Sequence, residues 1–220
     1  MAKIKFIGDV HGNFRRYANI IEQCDTSIQV GDFGVGFRRR DSLDPMRLRF
    51  FPNPPYDKIV KGNHRFIRGN HDNPAVCSQQ SYWIKDGTYD DALGILFCGG
   101  ASSIDRAWRE EGIDWWSDEQ LSYAELQEVI NTAEKKQPSI VITHECPESI
   151  AVKTFEWYNQ HKLESPSVTR QAFDRILEVC KPKLWIFGHW HYSVDQVIDG
   201  TRFVCLNELE TIDIETGDWQ

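Results

Sequence analysis

Apolar and polar residues trade places along this chain in short blocks, and most blocks stop at the same kind of boundary. Lys3 to Ile7 alternates and reads as a strand closed by Gly8-Asp9. Asn13 is placed as the N-cap of a helix from Phe14 to Gln23, with Tyr17, Ile20 and Ile21 along one face. A second strand, Ser27 to Val30, stops at Gly31-Asp32. Further strands at Arg65 to Ile67, Gly94 to Cys98, Ser139 to Thr143 and Leu184 to Phe187 stop at Gly69-Asn70, Gly99-Gly100, His144 and Gly188-His189. The longest helical pattern runs from Asp118 to Lys136, with Ser117 and Gln120 spaced as a capping box; a second helix, Val168 to Cys180, ends before Lys181-Pro182. Phe33 to Pro55 is cut by Pro45, Pro52, Pro54 and Pro55 and reads as a long functional loop. Alternating stretches at Ser193 to Ile198, Thr201 to Leu206 and Glu210 to Ile214 predict antiparallel strands, the first two joined by a hairpin at Asp199-Gly200.

Strands separated by helices predict an α/β fold, and in such sheets the carboxyl ends of the strands gather along one edge where ligands bind. Glycine at those ends permits the sharp turn that aims the next side chain at a common point. With 220 residues and no long repeat or low-complexity linker, a single domain over residues 1–220 is the simplest organisation.

Charge and cysteine content narrow the setting. The net charge of −8 disfavours nonspecific binding of a polyanion by the whole molecule. It is unevenly spread, because Phe37 to Arg68 holds nine Lys or Arg against three Asp, a local +6 that leaves −14 on the rest. That segment either attracts a polyanionic substrate or forms a solvated loop that balances an acidic surface. The six cysteines form no C-x-x-C pair, so reduced thiols are expected rather than a zinc ribbon or a disulfide framework. The opening MAKIKFIGDVHG has no leader-like apolar run and no stretch is apolar enough to span a bilayer, so a soluble cytoplasmic protein with no membrane partner is expected.

Five blocks carry candidate chemistry: Asp9-Val10-His11, Gly31-Asp32, Gly69-Asn70-His71-Asp72, His144 and Gly188-His189-Trp190-His191. Each alone reads as a turn, but five of the seven histidines fall inside them, each block at the end of a predicted strand. Carboxylate, amide oxygen and imidazole donors suit Mn²⁺, Fe, Zn²⁺, Ni²⁺ or Co²⁺. Seven such side chains are too many for one ion and suit two with a shared carboxylate, a pair that can hold a hydroxide between them for in-line attack on phosphorus. A second Gly-Asn-His, at Gly62-Asn63-His64, precedes its strand and is assigned to a turn.

In this order the blocks resemble the calcineurin-like metallophosphoesterase superfamily, with its pattern D-x-H, G-D, G-N-H-[DE], H and G-H-x-H from Asp9 to His191. The resemblance implies a four-layer α/β/β/α sandwich of two mixed sheets flanked by helices, and a dimetal site at the strand ends. By position it implies one ion, Mn²⁺ first among the candidates, at Asp9, His11, Asp32 and His191. A second ion falls to Asp32, Asn70, His144 and His189. His71 takes the role of protonating the leaving oxygen or stabilising phosphoryl charge, and Asp72 is a candidate to orient its ring.

The protein-phosphatase branch carries G-D-x-x-D-R-G where this chain has Gly31-Asp32-Phe33-Gly34-Val35-Gly36, which argues against a protein phosphatase. Substrate contacts are expected instead from Arg106 or Arg109, in a segment that runs from Gly99 to Arg109 and is followed by Trp115-Trp116. Stacking on a base is open to Trp115, Trp116, Trp157 and above all Trp190, between two candidate ligands. The expected activity is a phosphodiesterase on a nucleotide-like or nucleic-acid ester. A phosphomonoesterase is the alternative and a catalytically silent interaction module the remote one; substrate identity and oligomeric state stay open.

Overall fold

The computed structural model describes residues 3–40, 48–50, 52–155 and 167–215. Strands β1 (Lys3–Ile7), β2 (Thr26–Val30), β5 (Asn63–Ile67) and β12 (Thr211–Glu215) form one sheet in the order β12-β1-β2-β5. The first three run parallel and β12 pairs antiparallel with β1. A second sheet has the order β10-β11-β9-β8-β7-β6, from β6 (Tyr89–Asp90), β7 (Ile95–Cys98), β8 (Ile140–Thr143), β9 (Leu184–Phe187), β10 (Val194–Ile198) and β11 (Thr201–Cys205). Its four central strands are parallel and both outer pairs antiparallel, so both sheets are mixed. A short antiparallel pair, β3 (Arg38–Arg40) with β4 (Leu48–Phe50), lies in the stretch read as a loop.

Alternation along the strands divides the core into layers. Ile4, Phe6, Ile28 and Val30 of one sheet meet Phe97, Ile142 and Ile186 of the other and form the seam between them. The opposite face of the four-stranded sheet, with Ile7 and Phe66, is covered by α1 (Phe14–Ile21), α2 (Tyr56–Lys61) and α3 (Pro74–Cys77). The opposite face of the six-stranded sheet, with Val141, Trp185 and Phe203, is covered by α4 (Tyr123–Lys136), α5 (Glu148–Thr154) and α6 (Val168–Cys180). Every residue of β8 and β9 is buried, as strands covered on both faces require. This is the expected α/β/β/α sandwich. No helix among the described residues is long and apolar enough to cross a membrane.

Two local expectations are corrected, and the last strand, antiparallel as expected, takes an unforeseen neighbour. The long helix starts at Tyr123, capped by Ser122 and Glu125 in a full capping box, and not at Ser117. Residues ahead of it are drawn into tertiary bonds: Arg68 Nη1 takes the carbonyls of Asp118 and Glu119, and Gln120 Oε1 accepts from Ser167 and Thr169. His64 lies within β5, buried, with Nδ1 2.9 Å from Ser27 Oγ, its register partner, rather than in a turn. The last strand leaves the β10–β11 hairpin for the other sheet. It is redirected by the turn at 207–210, where Leu209 has φ +55° and its amide bonds the Asp9 carbonyl.

Candidate metal centre

Each predicted block sits just past the carboxyl end of a parallel strand, and the structure brings all five together. Asp9 and His11 follow β1, Asp32 follows β2, Asn70 and His71 follow β5, His144 follows β8, and His189 and His191 follow β9. Four of these, His11, Asp32, His189 and His191, have φ between +46° and +68°. That left-handed region costs a non-glycine residue about 1–3 kcal/mol, so half of the eight such residues described are concentrated where donors are aimed. The glycines before the donors serve close approach. A Cβ at position 69 would collide with Asp32 and with His144 Nε2, and one at 188 with Asp9 Oδ1.

Asp32 is the centre. Its Oδ1 lies 3.3 Å from His144 Nε2, and its Oδ2 lies 3.7 Å from His11 Nε2. On the His11 side, His191 Nε2 is 3.1 Å from Asp9 Oδ2 and 3.0 Å from His11 Nε2. On the His144 side, Asn70 Oδ1 is 3.2 Å from His144 Nε2, and a nitrogen of His189 approaches the same group. The Asp32 carbonyl accepts the amides of both Val10 and His11, and Oδ1 accepts that of His71, so one residue ties three loops.

Further residues, not anticipated from sequence, aim these donors. His144 Nδ1 donates to the Val30 carbonyl at 2.9 Å; a carbonyl can only accept, so Nε2 keeps its lone pair for the cluster. Asn70 Nδ2 donates to Ser103 Oγ, which donates to Glu119 at 2.5 Å, fixing the amide with its oxygen inward. Behind His189 stands buried Glu145, 3.6 Å from Nε2, anchored by Arg170 (3.0 Å), Trp190 Nε1 (2.7 Å) and the Cys146 amide. Glu145, adjacent to His144, carried a signal in its position; Ser103, Glu119 and Arg170 carried none.

Electrostatics follow from burial. Burial works against the Asp32 carboxylate, but the charges of His71, His144 and His11 outweigh it and hold the group well below the usual carboxylate range. Burial also disfavours charge on His144, yet the Asp32 carboxylate lifts it to about 10. His71 is pushed down to about 4 by burial, aided by Arg109 and His11 against the pull of Asp32, and burial lowers His189 as well. The cluster thus sets two buried carboxylates, Asp9 and Asp32, against imidazoles, of which His144 is held protonated by Asp32, and a divalent cation can take the place of that proton. The thiols of Cys146 and Cys205 are held protonated by burial and offer no soft ligand. Oxygen and imidazole donors of this kind fit the borderline divalent metals.

Asp72 does not orient His71. Its buried carboxylate accepts four backbone amides, from Phe33, Gly34, Val35 and Gly69 at 2.6–3.0 Å, and staples the Asp32 loop to the Asn70 loop. Burial and the Asp32 charge raise it to about 6. The His71 ring is set instead by Phe37, stacked at 4.8 Å, and by Arg109, whose Nη2 lies 2.6 Å from Nε2.

A cavity of about 440 Å³ opens over the donors, lined among others by Arg109, Arg170, Trp190 and Tyr192. Arg106 is not at its wall; its guanidinium lies over the Trp115 ring at 4.2 Å. Trp190 lines the cavity with one face already stacked on Phe155 at 4.1 Å. Trp115 and Trp116 are buried, and Trp157 lies outside the described residues. In the basic segment, Arg68 is buried against Asp86 and Lys58 pairs with Glu22, which removes two of its cations from any channel; positions 41–47 and 51 lie outside the described residues.

The model of the calcineurin-like phosphoesterase family matches residues 2–193, which contain all five blocks. The chain belongs to this family. It is accordingly a metal-dependent phosphoester hydrolase. No curated protein sequence matches it significantly. Among solved structures, a Staphylococcus aureus "putative 5'-nucleotidase" shares 14% identity over 97% of this phosphoesterase and 51% of that chain, with a TM-score of 0.51, a likeness of fold alone. A Thermotoga maritima protein shares 16% identity over 100% and 95% of the two chains (TM-score 0.40). A Streptococcus pneumoniae protein described as a predicted phosphoesterase shares 14% over 98% and 85% (TM-score 0.39).

Proposed function

We propose that this phosphoesterase is a dinuclear-metal phosphodiesterase acting on a nucleotide-like or nucleic-acid ester. The observation that carries the dinuclear reading is the split of Asp32, one carboxylate oxygen toward His144 and the other toward His11. Asp9, His11, Asp32 and His191 would hold one divalent ion, and Asp32, Asn70, His144 and His189 the other, with Mn²⁺ the first candidate. Such ions supply an activated water and neutralise charge on the phosphoryl group. His71 stands at the cavity floor, held by the bond of its amide to Asp32 and by the Phe37 ring, where it can serve the leaving oxygen.

The preference for a diester is supported by the cavity walls. Among the described residues, both guanidinium groups that line the cavity are paired with carboxylates, Arg109 with Asp105 and Arg170 with Glu145 and Glu148. A monoester dianion needs more positive charge from those walls than a diester monoanion does. A polyanionic substrate is supported by the start of the Arg38-Arg39-Arg40 run directly after Phe37, the residue stacked on His71. Six free cysteines, four of them buried, suit a reducing cytoplasm.

The test is hydrolysis of bis-p-nitrophenyl phosphate and p-nitrophenyl phosphate by metal-stripped protein resupplied with Mn²⁺, Ni²⁺, Zn²⁺ or Mg²⁺. Metal-dependent turnover with the diester preferred is the expected result. A clear preference for the monoester would replace the diesterase by a phosphomonoesterase. Stoichiometric metal without turnover of any ester would favour an interaction module on the same fold.

A further inference from the structure

Of the two guanidinium groups at the cavity, Arg170 is fully engaged behind the donors, while Arg109 comes from the loop after β7 and points its fork at His71. A guanidinium carries five N–H donors and accepts nothing. Arg109 Nη2 lies 2.6 Å from His71 Nε2, so Nε2 is the acceptor and the ring proton is on Nδ1. The other contacts of Arg109 show how it is held. Nε is 2.6 Å from Asp105 Oδ1, Nη2 donates to Asp105 Oδ2 at 2.8 Å, and Nη1 donates to the Asp114 carbonyl at 3.1 Å. Asp105 therefore occupies the side edge formed by Nε and Nη2. The second hydrogen of Nη2 goes to His71, and both Arg109 and His71 line the cavity.

We propose that Arg109 is the residue that grips the substrate phosphoryl group, that it does so by leaving His71, and that Asp105 is the positioning residue that tethers it. The Nη2 hydrogen that His71 Nε2 accepts cannot serve that ring and an incoming phosphoryl oxygen at once, so the two states exclude each other. Ionised phosphoryl oxygens are stronger acceptors than a neutral imidazole and match the fork in geometry, so a bound ester draws the end of the fork to itself. The same movement frees the Nε2 lone pair, so His71 is released from Arg109 only when a phosphoryl group is present. Asp105 keeps the guanidinium within reach in both states and limits the rotamer freedom a long side chain would otherwise lose on binding. Arg106, three residues earlier, has its charge over Trp115 and takes no part.

The proposal rests on the hydrolysis of phosphate esters and adds the residue that recognises them. Its test is calorimetric titration of Mn²⁺-loaded protein with inorganic phosphate, beside kcat and KM on bis-p-nitrophenyl phosphate, for R109A, R109K, D105N and R106A. R109A is expected to weaken phosphate binding and raise KM by about 10–100-fold, the range of a charge-assisted hydrogen-bonded pair, with metal content unchanged. R109K recovers little of this, because an ammonium cannot hold Asp105 and present a fork. D105N raises KM several-fold with kcat largely kept, the mark of a tether, and R106A matches wild type. Wild-type phosphate affinity in R109A, loss of metal from R109A, or R106A as weak as R109A would each overturn the assignment. If wild type turned over neither ester, the diesterase reading would fall, while the phosphate titration would still decide on Arg109.

Discussion

On one side of Asp32 the donors are His144, His189 and Asn70; on the other they are Asp9, His11 and His191. The His144 and His189 side chains are 0% and 13% exposed, those of His11 and His191 20% and 45%. The buried set is backed by a carbonyl, by the Glu145–Arg170–Trp190 group and by the Ser103–Glu119 pair. The open set leans on Glu208, itself 55% exposed and 3.4 Å from His191 Nδ1. Orientation of a ligand by an outer hydrogen bond is worth about 10–100-fold in metal affinity, so the halves should bind with unequal strength. The buried half is built as part of the fold and should keep its ion; the open half should exchange its ion with solvent.

Asp32→Asn removes the difference altogether and is expected to have the largest effect. In the proposed dinuclear site one carboxylate serves both halves, so elemental analysis should show both ions depleted and turnover should vanish; retention of one ion at full occupancy would dismiss the shared role. Next comes His144→Ala against His191→Ala. The first should lose its ion and also lower the melting temperature, because it removes a buried hydrogen bond to the Val30 carbonyl and the imidazole beside Asp32, at about 1–3 kcal/mol. The second should lose one ion while the melting temperature of the metal-stripped protein stays near that of wild type. Equal losses of stability would erase the comparison. The smallest effect belongs to Glu145→Gln, which keeps the packing and removes a charge behind His189. Titration of metal into this variant should show the tighter of two phases weakened by about 10–100-fold and the weaker phase unmoved.

That the candidate donors would gather at one place was legible in sequence, because each obeys a local rule: a strand pattern, a glycine or other small residue, then a side chain with a lone pair. Their outer supports were not. Asn70 and Ser103 lie 33 residues apart and Arg170 and Glu145 lie 25 apart, and which approaches which is decided by sheet order. The sheet order also escaped the pattern. β12 alternates as a third antiparallel strand should, yet it pairs with β1, since alternation reports a buried face and says nothing of the neighbour. Helices α2, α3 and α5, of four to seven residues, are too short to show a 3.6-residue period. His64 misled for the opposite reason, because Gly62-Asn63-His64 repeats the text of the block at Gly69-Asn70-His71 while its ring turns inward to Ser27. Arg106 and Arg109 were equivalent in sequence, and only the path of the loop separates them.

The pairing of β12 with β1 also bears on how the molecule fares in a crowded or proteolytic setting. β1, whose end carries Asp9, is an interior strand only because β12 covers its outer edge over five register pairs. Cleavage near the exposed Glu208 would leave every donor in the chain, yet it would free that flap and bare a row of unpaired amides and carbonyls beside Ile4 and Phe6. An edge of that kind is a template for strand addition, so damage at this turn would first be seen as self-association.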